Sequence, residues 1–297
     1  MSNTTASLQH QISSARELQS VVRTMKAVAA SSIGQYEASV AALVDYDRTV
    51  ELALGACLRA SPAALPVVAT PDRPDGGTIG TIVFGSDQGL VGQFNDIVAD
   101  HALRTLAALP GDPVVWAVGE RVHARLADAG LRVVGLFPVP TSVAAIGPLV
   151  GKVQLQSETH RARGGYARVY VFHNRPWAGS LYNPVDRRLL PLDAQWSRNL
   201  RDRPWPTKTL PQVMGETAAN LSALVREYLF ISLFKACAES LVSENASRLA
   251  AMQRADKNIG DLLGTLRGAF RGLRQGDIDE DLFDVVSGFE AMTIRKR

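Results

Sequence analysis

The sequence predicts an α/β protein: a long antiparallel coiled coil of N- and C-terminal helices with a Rossmann-like α/β domain inserted between them. Three observations carry this. All 15 prolines fall between Pro62 and Pro211, leaving both ends free of proline; a proline inside a helix costs about 3 kcal/mol, so the ends can be helical throughout and the middle cannot. Both ends carry apolar residues at steps of three and four, the spacing that places side chains on one helix face. The middle alternates short apolar runs with helical stretches, the pattern of a mostly parallel sheet covered by helices. The expected division is residues 1–61 for the first helix, 62–211 for the α/β domain with its linkers, and 212–297 for the second helix.

Each element follows from its residues. From Leu8, Ile12, Ala15, Leu18, Val22 and Met25 on to Tyr46, Val50, Leu54 and Cys57, the mean step is about 3.5, the coiled-coil period. A helix of that extent is roughly 80 Å long. After a Pro/Gly-rich linker over Pro62–Gly77, Thr78–Phe84 reads as a buried strand, followed by a turn and a helix over about Val91–Leu109. Strands at Pro113–Val118, Leu131–Phe137 and Ala167–His173 alternate with helices at Glu120–Ala129 and Ile146–Arg161. The segment Asn174–Pro211, with Trp177, Trp196 and Trp205, reads as irregular. From about Val213 to Ser287 one apolar seam passes through Leu221, Tyr228, Ala238, Met252, Leu262 and Phe270, a helix of roughly 110 Å. Only another helix can cover such a length, so the chain must turn back on itself.

Composition narrows the function. With 46% hydrophobic residues in 297 the chain can bury a real core, and a net charge of +3 is no polycation, so nucleic acid is not an expected partner. The five histidines are scattered and no zinc spacing occurs, so no metal and no cofactor are expected. Two cysteines, Cys57 and Cys237, fit a reducing compartment better than a disulfide framework. No run approaches 18 apolar residues, so the chain itself is not expected to cross a membrane.

The turn after the first strand, GSDQGLVGQFN over Gly85–Asn95, stands where open α/β sheets bind ligands. Its glycines match neither GxGxxG nor a P-loop, and no lysine is near; a tight turn with Ser86 or Asp87 capping the following helix competes with an anion site. No nucleophile, base and orienter stand together, and the run Asp277, Asp279, Glu280, Asp281 and Asp284 reads as a solvated helix face. Glycines at 260, 264, 268, 272 and 276 recur every fourth residue, each costing about 0.8–1 kcal/mol of helix stability against alanine. The stripe could face the small stretch Ala27–Ser32 and form a narrow waist, with a merely flexible end as the alternative; if Met25 sits near Gln275 in that register, Cys57 and Cys237 would lie within a few residues of each other, against the reading of two separate small core residues.

Three separated motifs resemble one family. SENASRLAAMQRADKN and LRQGDIDEDLFDVVSG near the C-terminus, TMKAVAASS at Thr24–Ser32 and GSDQGLVGQFN in the insert are similar, in order, to the signatures of the γ subunit of F-type ATP synthases. The resemblance implies a central-stalk rotor with no catalytic residues of its own, coupling an ion-translocating membrane ring to a catalytic head in ATP synthesis or hydrolysis. The implied partners are the α and β subunits of the head, the ε subunit and the c-ring, with one copy per complex. The implied location is peripheral, on the cytoplasmic face of a bacterial inner membrane. Carried over residue by residue, Met25, Arg248, Lys257, Arg274, Gln275, Asp279 and Asp281 fall at subunit-contact positions. Ser86, Asp87, Gly89, Leu90 and Gly92 fall in the motif of the foot domain.

The chain departs from the family where polar contacts are made. The basic N-terminal run thins to Arg16, Arg23 and Lys26; Asp256, Lys257 and Asn258 stand for Thr-Asp-Asn, reversing the middle sign; Ile278 and Asp279 stand for Ile-Thr, and Asp281 for a glutamate. Such departures leave an ordinary branch and an alternative N-type branch, and H+ and Na+, as readings. Two other functions compete: a nucleotide-using α/β enzyme with a ligand at Gly85–Gly92, and a free-standing homodimeric coiled-coil scaffold.

Overall fold

The computed structural model describes residues 4–60, 77–164, 166–178, 180–192, 194–209 and 211–294. The expected linker lies almost wholly outside them. Helix α1 runs Thr5–Ala60; β1 (Thr78–Phe84), α2 (Phe94–Ala107), β2 (Asp112–Val118), α3 (Glu120–Asp128), β3 (Arg132–Phe137), α4 (Val143–Gly164), β4 (Tyr166–Trp177), β5 (Ser180–Leu190) and α5 (Ala194–Asp202) follow, and α6 runs Thr217–Ile294. The chain divides into two compact units, Ala29–Arg248 on one hand and Met1–Val28 with Leu249–Arg297 on the other, and α1 and α6 supply residues to both.

In the larger unit the sheet order is β3-β2-β1-β4-β5. The first four strands are parallel and β5 returns antiparallel to β4. Central β1 is buried along almost its whole length, as a strand covered on both faces must be. On one face Val98, Ala102 and Leu106 of α2 and Val122 and Leu126 of α3 pack on Ile79, Val83, Val115 and Phe172. On the other, Ile146, Val150 and Val153 of α4 join Leu233, Cys237 and Leu241 of α6 and Tyr36 of α1 over Ile82, Trp116 and Val171. A third cluster sets Leu200 of α5 against Leu54, Cys57 and Leu58 of α1 and Leu221 and Tyr228 of α6. There α5 crosses so closely that a Cβ on Gly55 would stand 2.5 Å from the Leu200 carbonyl oxygen.

The stretch expected to be irregular contains β5 and α5. β5 escapes a sequence reading because Pro184, Asp186, Arg187 and Arg188 interrupt its apolar pattern. Proline is tolerated in a sheet at its edge, and β5 is the outermost strand. α5 is short and polar, with Trp196 and Leu200 as its large apolar residues.

In the smaller unit Ile12 and Ala15 of α1 bury against Leu263 of α6, with Ile259, Leu266 and Phe270 alongside. The seams run as expected but shift by one residue in places. Gln19 takes the partly buried position while Leu18 is exposed, and Leu263 is buried while Leu262 is exposed. In the larger unit Asp47 likewise takes the place expected for Tyr46. A 3.6-residue helix drifts against a 3.5-residue repeat, so a seam read as unbroken must slip somewhere.

The register is corrected. Thr5 donates to Asp277 (3.1 Å) and Lys26 meets Asp256 (3.4 Å), so Met25 lies beside the level of 256 and roughly 28 Å along the helix from Gln275. The physical reason is burial in the seam, with a polar layer beside it. Gln19 (3.1 Å), Arg23 (3.2 Å) and Lys26 all reach the Asp256 carboxylate; these groups are partly solvated, so they add only modestly to the burial of Ile12 and Ala15 against Leu263 in the same register.

Two further expectations fall with it. Cys57 shares a cluster with Leu221 and Cys237 lies in another, about 24 Å apart by helix rise, so the cysteines are not neighbours. The glycine stripe does not form a waist: a Cβ added at Gly260, Gly264, Gly268, Gly272 or Gly276 would meet nothing within 4 Å, and Ile12 and Ala15 rather than Ala27–Ser32 stand across from that part of α6.

Candidate functional site

The turn after β1 is built by its own residues. Gly85 must lack a side chain, because a Cβ there would stand 2.4 Å from the Val122 Cβ. Ser86 is fully buried; its N–H donates to Asn95 Oδ1 (2.9 Å), Asn95 Nδ2 donates to its Oγ (2.8 Å), and that Oγ donates to the Gln88 carbonyl (2.9 Å). Asp87 does not cap the helix that follows. Its carboxylate accepts from the N–H of Glu120 (3.0 Å) at the start of α3 and from the N–H of Val139 (2.8 Å) after β3, tying the ends of two neighbouring strands. Leu90 and Gly92 both take positive φ, 63° and 60°, which is unusual for a leucine and turns its side chain out, 60% exposed.

Beside this turn is an open depression of about 390 Å³ lined by Gly89, Leu90, Gly92, Asn95, Arg121 and Arg125 among others. Two arginines, Arg121 and Arg125, and two aspartates, Asp96 and Asp128, share its lining, and the Arg125 guanidinium meets Asp96 and Asp100 at 3.3 and 3.1 Å.

β1 lies between β2 and β4, so the crevice beyond the carboxyl ends of β1 and β4 is the switch point where an open α/β sheet holds its ligand. Here α6 occupies it. Ser247 donates from its hydroxyl to the Val91 carbonyl in the turn. Ser243 donates to the carbonyl of Asn174 on β4, just past the strand's pairing with β1 (3.0 Å), with the Glu239 carbonyl at 2.9 Å as its alternative acceptor. Asn174 Nδ2 donates to the Phe94 carbonyl (2.8 Å), and the Phe94 ring meets Tyr182 edge-on at 5.4 Å. The Glu239 carboxylate accepts from His173 Nε2 (2.7 Å) and Arg175 Nε (3.0 Å). Every position from Ala236 to Asn245 is buried, so this part of α6 is enclosed all round and not along a single seam. The signal was present as the small residues Ala236, Cys237, Ala238, Ser240 and Ser243, which let a helix be approached from every side.

The electrostatics follow burial. Burial, the largest influence on His173, pushes its imidazole below the usual 6.5, against the opposing pull of Glu239. Burial pushes Glu239 up, but the hydrogen bonds and charges of His173 and Arg175 outweigh it and hold the carboxyl below its usual value. Glu244 is 5% exposed; burial raises it, Arg248 pulls it down and the Asp87 charge raises it again, leaving it above the usual value. Arg248 Nη2 donates to Glu244 Oε1 (2.6 Å) and Nη1 to Asn245 Oδ1 (3.3 Å). The Cys57 and Cys237 thiols are raised by burial.

The expected site residues separate into three groups. Ser86, Asp87, Gly89, Leu90 and Gly92 form one turn, and Arg248, enclosed by its own helix, lies in the same unit. Met25, half-buried, and exposed Lys257 flank the Asp256 layer. Arg274, Gln275, Asp279 and Asp281 are exposed on the far stretch of α6. Interleaved with those carboxylates are Ile278, Leu282, Phe283, Val285 and Val286, all at least half exposed, an apolar surface that the acidic pattern concealed. Among the described residues no group of three or more potential ligands could hold a metal, and no helix is long and apolar enough to cross a membrane.

A two-helix coiled coil with an inserted α/β domain, its own helix lodged in the switch-point crevice, defines the stalk class of fold. The ATP synthase family matches residues 4–292. The ATP synthase gamma chain of Nitrosomonas eutropha is 26% identical over 294 residues, covering 96% of this chain and 98% of that protein. The gamma chain of Parafrankia sp. is 26% identical over 289 residues, covering 95% of each. In solved structures the fold matches a chain of the Euglena gracilis mitochondrial ATP synthase in rotational state 3 (TM-score 0.64, 16% identity, 99% of this chain and 96% of that one). It also matches a chain of the Tetrahymena thermophila enzyme's central stalk and c-ring (TM-score 0.52, 19% identity, 79% and 99%). The chain belongs to the ATP synthase family, and within it to the γ subunits of the F type.

Proposed function

We propose that this chain is the central-stalk rotor of an F-type ATP synthase, transmitting rotation between an ion-translocating ring and a catalytic head without catalysing a reaction itself. The observation that carries the reading is the continuity of the family match, which runs through both helical ends and the insert alike. Residues 1–61 and 212–297 act as the shaft and 62–211 as the foot. Ion flow, of H+ or Na+, turns the foot on the c-ring beside ε. The shaft, asymmetric in cross-section, stabilises a different state in each surrounding α and β subunit, a coupling by differential contact. The complex then works at the cytoplasmic face of a bacterial inner membrane with this chain peripheral to it.

The site residues take roles in this scheme. Exposed Arg274, Gln275, Asp279 and Asp281, with the apolar side chains Ile278 to Val286 between them, face the catalytic head, which covers surface that would otherwise stand in water. Met25 and Lys257 contact the same subunits lower on the shaft. Arg248 acts through Glu244 within the chain, and the Ser86–Gly92 turn holds the foot together. Co-expression with its neighbouring genes tests the reading: a large ATP-hydrolysing assembly with one copy of this chain is expected, and elution of the chain alone as a stable homodimer overturns it.

A further inference from the structure

We propose that the polar stripe Glu239, Ser243 and Ser247 on α6 is the clamp through which the α/β domain and this helix turn as one body. This rests on the rotor reading above. The three residues are spaced i, i+4, i+8 and so share a helix face, and each engages a different part of the domain. Glu239 holds the His173 and Arg175 side chains on β4, Ser243 the Asn174 carbonyl between them, and Ser247 the Val91 carbonyl in the turn after β1. Asn174 then binds the Phe94 carbonyl, closing a loop of contacts between β4, the turn and α2. Ser247 is also in hydrogen-bond contact with the Tyr182 phenol on β5.

A rotor needs contacts of this type there. Apolar packing of α6 on the sheet through Leu233, Cys237 and Leu241 resists separation, but burial is non-directional and opposes slip about the helix axis only weakly. Hydrogen bonds lose strength steeply with angle. A rotation by one residue, or a slide by one turn, would strand a buried carboxylate, a buried imidazole and the Ser247 hydroxyl at once, and would leave the Asn174 carbonyl without Ser243, whose hydroxyl falls back on the Glu239 carbonyl of its own helix. Glu239, His173, Asn174, Ser243 and Ser247 are each at most 9% exposed, so water cannot substitute for the lost partners. The next turn is stiffened by the enclosed Glu244–Arg248 pair. The crevice that holds a ligand in other α/β sheets is here the seat of a mechanical joint, and Glu239, Ser243 and Ser247 are its positioning residues.

The test uses the assembled complex, its head fixed to a surface and stalled on nucleotide, with a bead attached to the α/β domain through a cysteine placed at Arg132. The thermal angular fluctuation of the bead reads rotor compliance. The Ser243→Ala/Ser247→Ala variant should give a roughly twofold larger angular variance, since about half the directional bonds are removed. Ser247→Thr, which keeps the hydroxyl, should restore most of the stiffness of that site. Val242→Ala, a cavity in the same helix, should lower thermal stability and leave the variance unchanged. Should the double variant fail to assemble, Glu239→Gln reads the same quantity with less disruption. Variance equal to wild type in the serine and Glu239 variants, or raised equally by Val242→Ala, overturns the clamp. Failure of the wild-type chain to assemble would instead overturn the rotor reading on which it rests.

Discussion

His173 shows what one residue contributes to this architecture. It is 3% exposed and its Nε2 stands 2.7 Å from the Glu239 carboxylate. Its folded proton affinity lies below the ordinary value of 6.5, so as pH falls below that value the unfolded chain takes up a proton that the folded chain refuses. The contribution of His173 to stability is complete above about pH 6.5 and is lost on acidification through the window beneath it. Glu239 acts in the same sense further down: its depressed carboxyl stabilises the fold above 4.5 and that contribution disappears as pH falls through the lower folded value. His173→Gln, which keeps a donor for Glu239 and removes the titration, should flatten the fall in melting temperature between roughly pH 7 and 5. A slope equal to wild type would show that His173 does not titrate in this way. Nothing in the sequence around His173 announced this role. A lone histidine at a strand end reads as surface or core alike, and Glu239, its partner, lies 66 positions away.

At the scale of elements, legibility followed pattern strength. β1 was readable to the residue and β2 and β3 to within one, because buried parallel strands are near-continuous apolar runs. Both long helices were readable from proline distribution and period. What failed was the relation between them. Register depends on which side chains meet, and the burial of Ile12 and Ala15 against Leu263, with Gln19, Arg23 and Lys26 around Asp256 beside it, took the place of the small-residue complementarity that suggested a waist. The glycine stripe on α6 is consequently an exposed helix surface that gains nothing from lacking side chains within this chain. Gly268→Ala and Gly272→Ala should each stabilise the helix by about 0.8–1 kcal/mol, read as a raised melting temperature of the purified chain. A loss of stability would mean that a neighbouring helix does pack there. β5 and α5 were missed for a different reason: their residues satisfy an edge and a short strap, roles that need little apolar periodicity.

For the whole molecule, two motifs far apart in sequence serve one construction. GSDQGLVGQFN and SENASR meet in the crevice at Val91 and Ser247, which explains why a turn shaped like a ligand loop lacks phosphate-binding residues: the chain's own helix is lodged there. The turn's glycines were legible as a tight bend, while the occupant of the crevice was not, since no local pattern says which distant helix will lie against a turn. The carboxylate-rich end of α6 was legible only as a solvated face, and the apolar residues Ile278 to Val286 among the acids turn it into a surface that a partner would cover. Whether this chain turns inside a catalytic head is read by single-molecule rotation. With the head fixed and a bead on the α/β domain, added ATP should drive stepwise rotation in one direction. Steady ATP hydrolysis by an assembly containing one copy of the chain, with the bead stationary, would rule out a rotor.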